Sequence, residues 1–153
     1  MIGTIGTDEY LQAFQSGCKC SVPLEDIRRN AESVLGPERS ELLDLLEQLS
    51  RRIPIAAFTN TIELHWTLLM NSKNYRFPSF FGQIFASHLL GDAKPRTSAF
   101  AKVLDTLGLN PSEVVFIDDS VLNVSGANQL GMRGIIFEGA SKLREDLSQY
   151  LEF

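Results

Sequence analysis

The sequence has few cysteines and no long apolar run. Cysteine occurs only at Cys18 and Cys20, and no second group of cysteines or histidines lies nearby to complete a zinc site. Two cysteines this close rarely form a disulfide bond, so free thiols and a cytoplasmic location are expected. No apolar run approaches the ~20 residues that a membrane span needs. The N-terminus also lacks the basic stretch and apolar run of a secretion signal.

Positive charge is scarce as well. The 14 lysines and arginines are outnumbered by 19 aspartates and glutamates, which gives a formal net charge of −5. This balance argues against nucleic acid or an anionic membrane as the main partner. The length of 153 residues and the 44% of hydrophobic residues are typical of one globular domain of ordinary size, with room for a small appendage.

The pattern of the sequence changes near residue 53. Before it, residues 7–35 predict two short helices, the first capped by the Thr7 hydroxyl, and residues 38–52 predict a third. After it, short apolar runs alternate with segments of helical periodicity, with Pro95 expected in the first turn of one helix. This alternation predicts an α/β fold, in which a Rossmann-like parallel sheet is flanked by helices on both faces.

The most informative stretch is residues 114–123, where an apolar run stops at two adjacent aspartates. Val114 to Ile117 are expected to form a fully buried strand of the parallel sheet. Ser120 is expected to cap the helix that follows, and Asn123 lies one turn beyond the acids, where it can orient them. The stretch therefore predicts a strand and a helix with both acids at the turn between them.

The two acids at this turn are Asp118 and Asp119. Open α/β sheets bind their ligands at the carboxyl ends of the strands, which is where these side chains lie. Two adjacent carboxylates repel each other unless a cation lies between them, and Mg²⁺ prefers oxygen ligands of this kind. The pair therefore predicts a Mg²⁺ site. The alternative is that both acids only cap the helix and face solvent.

Polar groups also follow two other predicted strands. Thr59 and Asn60 end the first strand, and Lys94 lies in a loop after the second. Because parallel strands end at one edge of a sheet, these groups are expected to approach the aspartates. A hydroxyl, backbone amides, an ammonium and paired carboxylates together suit a phosphoryl group. Taken singly, Thr59 can equally be a helix cap and Lys94 a solvated surface lysine.

Three segments resemble motifs of the haloacid dehalogenase (HAD) superfamily. Residues 56–61, 91–95 and 114–119 are similar to its second, third and fourth motifs, and residues 123–132 are similar to its continuation after the fourth. The resemblance implies a HAD-like core over residues 37–153. Residues 1–36 would then form part of the helical cap that the phosphatase-like branch inserts after its first strand.

The resemblance also implies a role for each site residue. Thr59 and the amide of Asn60 would hold the substrate phosphoryl group, and Lys94 would neutralise that group and the nucleophile. Asp118 and Asp119 would hold Mg²⁺, directly or through water. True dehalogenases of the superfamily usually lack the double aspartate. The pair therefore favours phosphoryl transfer from a small phosphorylated metabolite over carbon–halogen cleavage.

The first motif of the superfamily has no counterpart in the sequence. That motif is a buried strand ending in Asp-x-Asp, which supplies the nucleophile and the general acid–base, and no Asp-x-Asp occurs among the 153 residues. The sequence is therefore expected to begin inside the cap, with the motif in an upstream segment, a separate chain or coding sequence ahead of Met1. The central strand of the sheet would then be missing, and two open strand edges would promote self-association.

Two other functions remain open. A shortened relative could bind phosphate, metal or a protein partner without any turnover. A phospho-receiver domain uses similar groups, but its acids precede its Thr and Lys, whereas the order here is Thr59, Lys94, Asp118. The order therefore favours the HAD-like hydrolase.

Overall fold

The computed structural model describes residues 2–18, 21–71, 73 and 75–151. Helices and strands alternate after residue 53, which confirms the predicted α/β fold. In chain order the elements are α1 (Thr7–Gly17), α2 (Leu24–Glu32), α3 (Ser40–Ser50), β1 (Ala56–Thr59), α4 (Glu63–Asn71), β2 (Gln83–Ala86), α5 (Ser87–Leu90), α6 (Thr97–Leu107), β3 (Val115–Asp118), α7 (Val121–Gln129), β4 (Arg133–Ile136) and α8 (Ala140–Leu147). In this part of the chain, no helix is long and apolar enough to cross a membrane.

The strands form two parallel pairs. β1 pairs with β2 in a register that places Thr59 opposite Ala86, and β3 pairs with β4 with Asp118 opposite Ile136. Within the described ranges no ladder of hydrogen bonds joins β1 to β3. The two pairs are therefore held together by side chains and by the helices that cover them.

Helices cover both faces of the strand pairs. On one face α3 and α8 contribute a cluster of buried leucines, against which apolar residues before β1 and within β3 pack; the cluster contains Leu45, Leu49, Leu143 and Leu147, with Ile55, Val115 and Ile117 beside it. On the other face, Phe100 of α6 packs edge-on against Phe58 of β1 and Phe116 of β3, with ring centroids 5.8 and 4.9 Å away. One aromatic side chain thus contacts both strand pairs.

Strand β3 is less buried than its apolar sequence predicts. All residues of Val115–Asp118 are half-buried, and so is Val114, so the expectation of a fully buried strand is wrong. An apolar run indicates that both faces of a strand are covered. Here α3 and α8 cover one face and α6 covers the other. The apolar run carries no information about strand edges, and among the described residues β3 pairs along one edge only.

The N-terminal helices pack on each other and on α4. Asp8 of α1 forms an ion pair with Arg28 of α2 at 2.8 Å. Nε2 of His65 in α4 lies 2.8 Å from the carbonyl oxygen of Ala31 in α2. These contacts attach residues 7–32 to the α/β part of the chain. The assignment of residues 1–36 to a cap domain stays a prediction.

Thr7 does not cap α1, contrary to the sequence prediction. Gly6 occupies the N-cap position and makes no side-chain cap. The backbone N–H and the hydroxyl of Thr7 both donate to Oε2 of Glu63, at 2.9 and 2.8 Å. The Thr7 hydroxyl therefore binds Glu63, 56 residues away, and not the helix N-terminus that the local sequence predicts.

The segment after β2 also departs from the prediction. It forms the single turn α5 where a loop was expected, and Pro95 lies before α6, which begins only at Thr97. The hydroxyl of Ser87 in α5 is buried, accepts from the N–H of Thr61 at 3.0 Å and donates to its carbonyl at 3.1 Å. This contact spans 26 residues, so no local pattern reports it.

Of the two cysteines, Cys18 is a free thiol, in agreement with the sequence. Cys20 lies outside the described residues.

Candidate active site

Lys94 lies where the ends of β1 and β3 approach each other. Its Nζ donates to the carbonyl oxygen of Phe58 at 2.6 Å and to Oδ2 of Asp118 at 2.7 Å. The side chains of Lys94 and Asp118 are only 9% and 8% exposed, so Lys94 is not the solvated surface lysine of the alternative interpretation. The ammonium also lies 5.3 and 5.6 Å from the ring centroids of Phe58 and Phe116, whose electron-rich faces favour a cation.

Both carboxylate oxygens of Asp118 accept hydrogen bonds. Oδ2 is bound by Lys94, and Oδ1 accepts from the backbone N–H of Ser120 and from Nδ2 of Asn123, each at 2.9 Å. Burial is the largest single influence on the pKa of Asp118 and raises it. The hydrogen bonds from Lys94, Asn123 and Ser120 together lower the pKa by more than burial raises it. The pKa therefore lies below the ordinary value for aspartate, and the buried carboxylate is ionised.

The first turn of α7 holds this arrangement in place. The hydroxyl of Ser120 accepts from the backbone N–H of Asn123 at 3.4 Å, as the sequence predicts for a cap. The same turn aims the side chain of Asn123 back at Asp118, whereas Asp119 is exposed beside it. Because Asp118 also binds Lys94, capping alone does not describe Asp118.

Thr59 and Asn60 lie at the end of β1, next to the Lys94 contact. Thr59 is half-buried, and α4 begins four residues later at Glu63, so Thr59 does not cap that helix. Asn60 binds the loop of Lys94 through its side chain: Nδ2 donates to the carbonyl of Lys94 at 2.9 Å, and Oδ1 accepts from the N–H of Lys94 at 3.0 Å. Because these two hydrogen bonds use the side chain, any hydrogen bond from Asn60 to a phosphate would have to come from its backbone N–H.

Asp92, which the sequence pattern did not mark as a site residue, is buried beside the Lys94 loop. It accepts from the hydroxyl of Ser98 at 2.7 Å, from the N–H of Ala93 at 2.9 Å and from Arg96 at 3.3 Å. The hydrogen bond from Ser98 is the largest cause that lowers the pKa of Asp92. Two residues before Lys94, this ionised carboxylate ties the loop to α6. The sequence signal for this role was an acid, Asp92, followed by Arg96 and Ser98 around the start of a predicted helix.

The acid pair fits a Mg²⁺ ion that keeps several other ligands. Mg²⁺ in proteins often binds one or two carboxylates and completes its shell with waters and substrate oxygens. Asp118 and Asp119 supply such a pair at one strand end. In the described ranges no group of three or more His, Cys, Asp or Glu side chains is placed to hold a metal ion. Asp118 Oδ2 already binds Lys94, so the ammonium and a metal ion would meet at the same carboxylate.

Comparison with known protein families identifies the family of this chain. A family model described as haloacid dehalogenase-like hydrolase matches residues 6–131. The chain belongs to the HAD-like hydrolases. This membership agrees with the motif resemblance and with the parallel α/β fold.

Curated relatives in the family include phosphatases. Flavin mononucleotide hydrolase 1 of Arabidopsis thaliana is 35% identical over 94 residues, which cover 61% of this chain and 37% of that protein. D-ribitol-5-phosphate phosphatase of Bacteroides thetaiotaomicron is 21% identical across 97% of this chain and 74% of that protein. In three of the curated relatives, the matched segments span only 37%, 13% and 12% of their length.

Solved structures of HAD-family enzymes share the fold. A HAD-family enzyme from Bacteroides thetaiotaomicron, in complex with magnesium and inorganic phosphate, superposes with a TM-score of 0.81 and 28% identity, covering 93% of this chain and 75% of that one. A HAD-like hydrolase from Porphyromonas gingivalis superposes with a TM-score of 0.83 over 98% and 77% of the two chains; at 20% identity it shows the fold alone.

Proposed function

We propose that this chain supplies the phosphate- and metal-binding part of a Mg²⁺-dependent phosphohydrolase that acts on a small phosphorylated metabolite. The observation that carries the proposal is the Lys94 ammonium, buried between the end of β1 and Asp118. A buried ammonium at strand ends attracts an anion and forms strong, charge-assisted hydrogen bonds with it. The phosphatase relatives and the neighbour that holds magnesium and phosphate support the same chemistry.

Each residue has a defined part in the proposal. The Thr59 hydroxyl and the Asn60 backbone N–H donate to phosphoryl oxygens. Lys94 has three N–H donors and uses two for Phe58 and Asp118 in the described structure, so the third can reach the phosphoryl group. Asp118 and Asp119 hold Mg²⁺, which when bound neutralises charge on the transferring group. Ser120 and Asn123 orient Asp118 through their hydrogen bonds to its carboxylate.

The nucleophile of an aspartyl-phosphate mechanism is assigned to a carboxylate outside these 153 residues, because no Asp-x-Asp occurs among them. The second candidate is a non-catalytic relative that binds phosphate, metal or a protein partner. The absence of Asp-x-Asp from the 153 residues favours this candidate, because no such motif supplies a nucleophile. Self-association through the open edges of β1 and β3 stays a prediction.

An activity assay tests whether the chain hydrolyses a phosphate ester by itself. Alone, the chain is expected to release phosphate from p-nitrophenyl phosphate with Mg²⁺ no faster than background, because its sequence contains no Asp-x-Asp motif to supply the nucleophile. An Asp118→Asn variant, purified in the same way, sets the level of contaminating phosphatase. Metal-dependent turnover that disappears in Asp118→Asn would contradict this prediction and show that the chain is a complete enzyme.

Phosphate binding tests the role of Lys94. Lys94→Ala is expected to weaken the binding of phosphate or vanadate at least about tenfold, because a hydrogen bond to a charged group contributes about 1.5–3 kcal/mol. Titration calorimetry measures the affinity, and circular dichroism checks that the variant is folded. Lys142→Ala on α8 removes the same charge at an exposed ion pair with Asp146 and is expected to bind like wild type. Equal affinity for wild type and Lys94→Ala would remove Lys94 from the site.

A further inference from the structure

We infer that the side chain of Asn60 is a positioning residue for Lys94. Its amide forms two hydrogen bonds with the main chain of that one residue, to the carbonyl oxygen at 2.9 Å and from the N–H at 3.0 Å. The two residues lie 34 positions apart in the sequence. The side chain of Asn60 therefore pairs with the main chain of Lys94 as a neighbouring strand would, and orders the loop of Lys94.

The lysine is held at both ends by the same short segment. Asn60 binds its main chain, and the carbonyl of Phe58, two residues earlier, accepts from its ammonium at 2.6 Å. A lysine side chain has a flexible four-carbon stem, so its tip has no fixed place unless its main chain is fixed. With both ends attached to the end of β1, the ammonium is delivered to Asp118 at 2.7 Å.

Helix α7 supports the loop from another direction. A Cβ atom on Gly126 would lie 2.1 Å from the carbonyl oxygen of Pro95 and 3.1 Å from the ring of Phe100. The Pro95 carbonyl is main chain of the Lys94 loop, so a larger residue at 126 has to displace that loop. Because α7 also carries Asn123, which binds Asp118, both partners of the ion pair are located relative to α7.

The amide of asparagine offers a donor and an acceptor side by side, which is what these two hydrogen bonds need. Leucine has a similar size and offers neither, so Asn60→Leu removes both hydrogen bonds to the loop. Gly126→Ala displaces the same loop through the Pro95 carbonyl without touching Asn60. The matched controls are Asn71→Leu, at an exposed residue that ends α4, and Ser125→Ala, at the exposed residue beside Gly126.

The experiment follows the ammonium of Lys94 and the affinity for inorganic phosphate. The chain has five lysines, so a Lys94→Arg variant suffices to assign the ¹⁵Nζ resonance of Lys94 by NMR. In Asn60→Leu this resonance is expected to move towards that of a solvated lysine, and phosphate to bind about tenfold more weakly, since a displaced group loses much of its effect. Gly126→Ala is expected to shift both readouts in the same direction, and both controls to match wild type.

These readouts separate the inference from the proposed function on which its phosphate arm rests. If the Lys94 resonance stays in place in Asn60→Leu, or if the resonance moves while the phosphate affinity of a binding wild type is unchanged, the inference is overturned. If wild type itself does not bind phosphate, the proposed function fails and the resonance alone decides whether Asn60 positions Lys94. Should Asn60→Leu not fold, Gly126→Ala decides by the same two criteria.

Discussion

Replacement of Phe100 by alanine is expected to lower the free energy of unfolding by about 3–5 kcal/mol, the usual cost for a buried phenylalanine. Phe100 is 1% exposed and contacts the rings of Phe58 and Phe116. These rings belong to different strand pairs, which no ladder of hydrogen bonds joins in the described part of the chain. The cavity would therefore open where the two pairs depend on side-chain contact. Urea denaturation of both proteins measures the difference.

Two further variants test whether the loss of stability comes from the buried position and the volume of the Phe100 side chain. Phe14→Ala removes the same side chain from a position on α1 that is 55% exposed, and its expected cost is within about 0.5 kcal/mol. Phe100→Leu keeps most of the apolar volume and is expected to cost less than Phe100→Ala. A loss below about 1 kcal/mol for Phe100→Ala would show that the leucine cluster of α3 and α8 joins the strand pairs without Phe100.

Much of the fold could be predicted because it depends on neighbours in the sequence. The strand β3 and the cap at Ser120 each follow from a few adjacent residues. Strand ends with polar residues then indicate one edge of a parallel sheet. That step is enough to suggest that Lys94 approaches Asp118, and the structure places their charged atoms 2.7 Å apart.

The contacts that give the site its geometry could not be predicted in this way. The carbonyl of Phe58 is main chain, which every residue has, so no sequence signal marks it as the acceptor for Lys94. The hydrogen bonds of Asn60 and the close approach of Gly126 to Pro95 join segments more than 30 residues apart. An apolar run also carries no information about the edges of a strand, so the sequence could not predict that β3 is only half-buried.

The ion pair is the second feature whose removal is expected to have a large effect. Lys94→Met is expected to cost about 3–5 kcal/mol of unfolding free energy near neutral pH, because it leaves the carboxylate of Asp118 buried without its counter-ion. Urea denaturation measures the loss. Lys142→Met, which removes an exposed lysine paired with Asp146 on α8, is the matched control and is expected to cost little.

The double variant Lys94→Met/Asp118→Leu tests whether the loss comes from the unpaired charge. Because it removes both desolvation costs, it is expected to be more stable than Lys94→Met alone. A double variant that is the least stable of the three would contradict this account and show that the pair is a net source of stability through its contacts with Phe58 and Asn123.

Acid gives an independent test of the same charge. In the folded protein the pKa of Asp118 is below its ordinary value of 3.8, because hydrogen bonds from Lys94, Asn123 and Ser120 outweigh the opposing effect of burial. The carboxylate therefore adds stability above that ordinary pKa, and this contribution is lost as the pH falls through the lower folded value. Without Lys94, two of the influences that lower the pKa of Asp118 are lost, so Asp118 in Lys94→Met takes up its proton at a higher pH than in wild type. Because Asp118 protonates first in the variant, the stability gap between wild type and Lys94→Met is expected to narrow as the pH falls from about 7 to below about 4. A gap that stays constant down to that range would mean that the loss in Lys94→Met arises from packing of the lysine stem and not from the charge of Asp118.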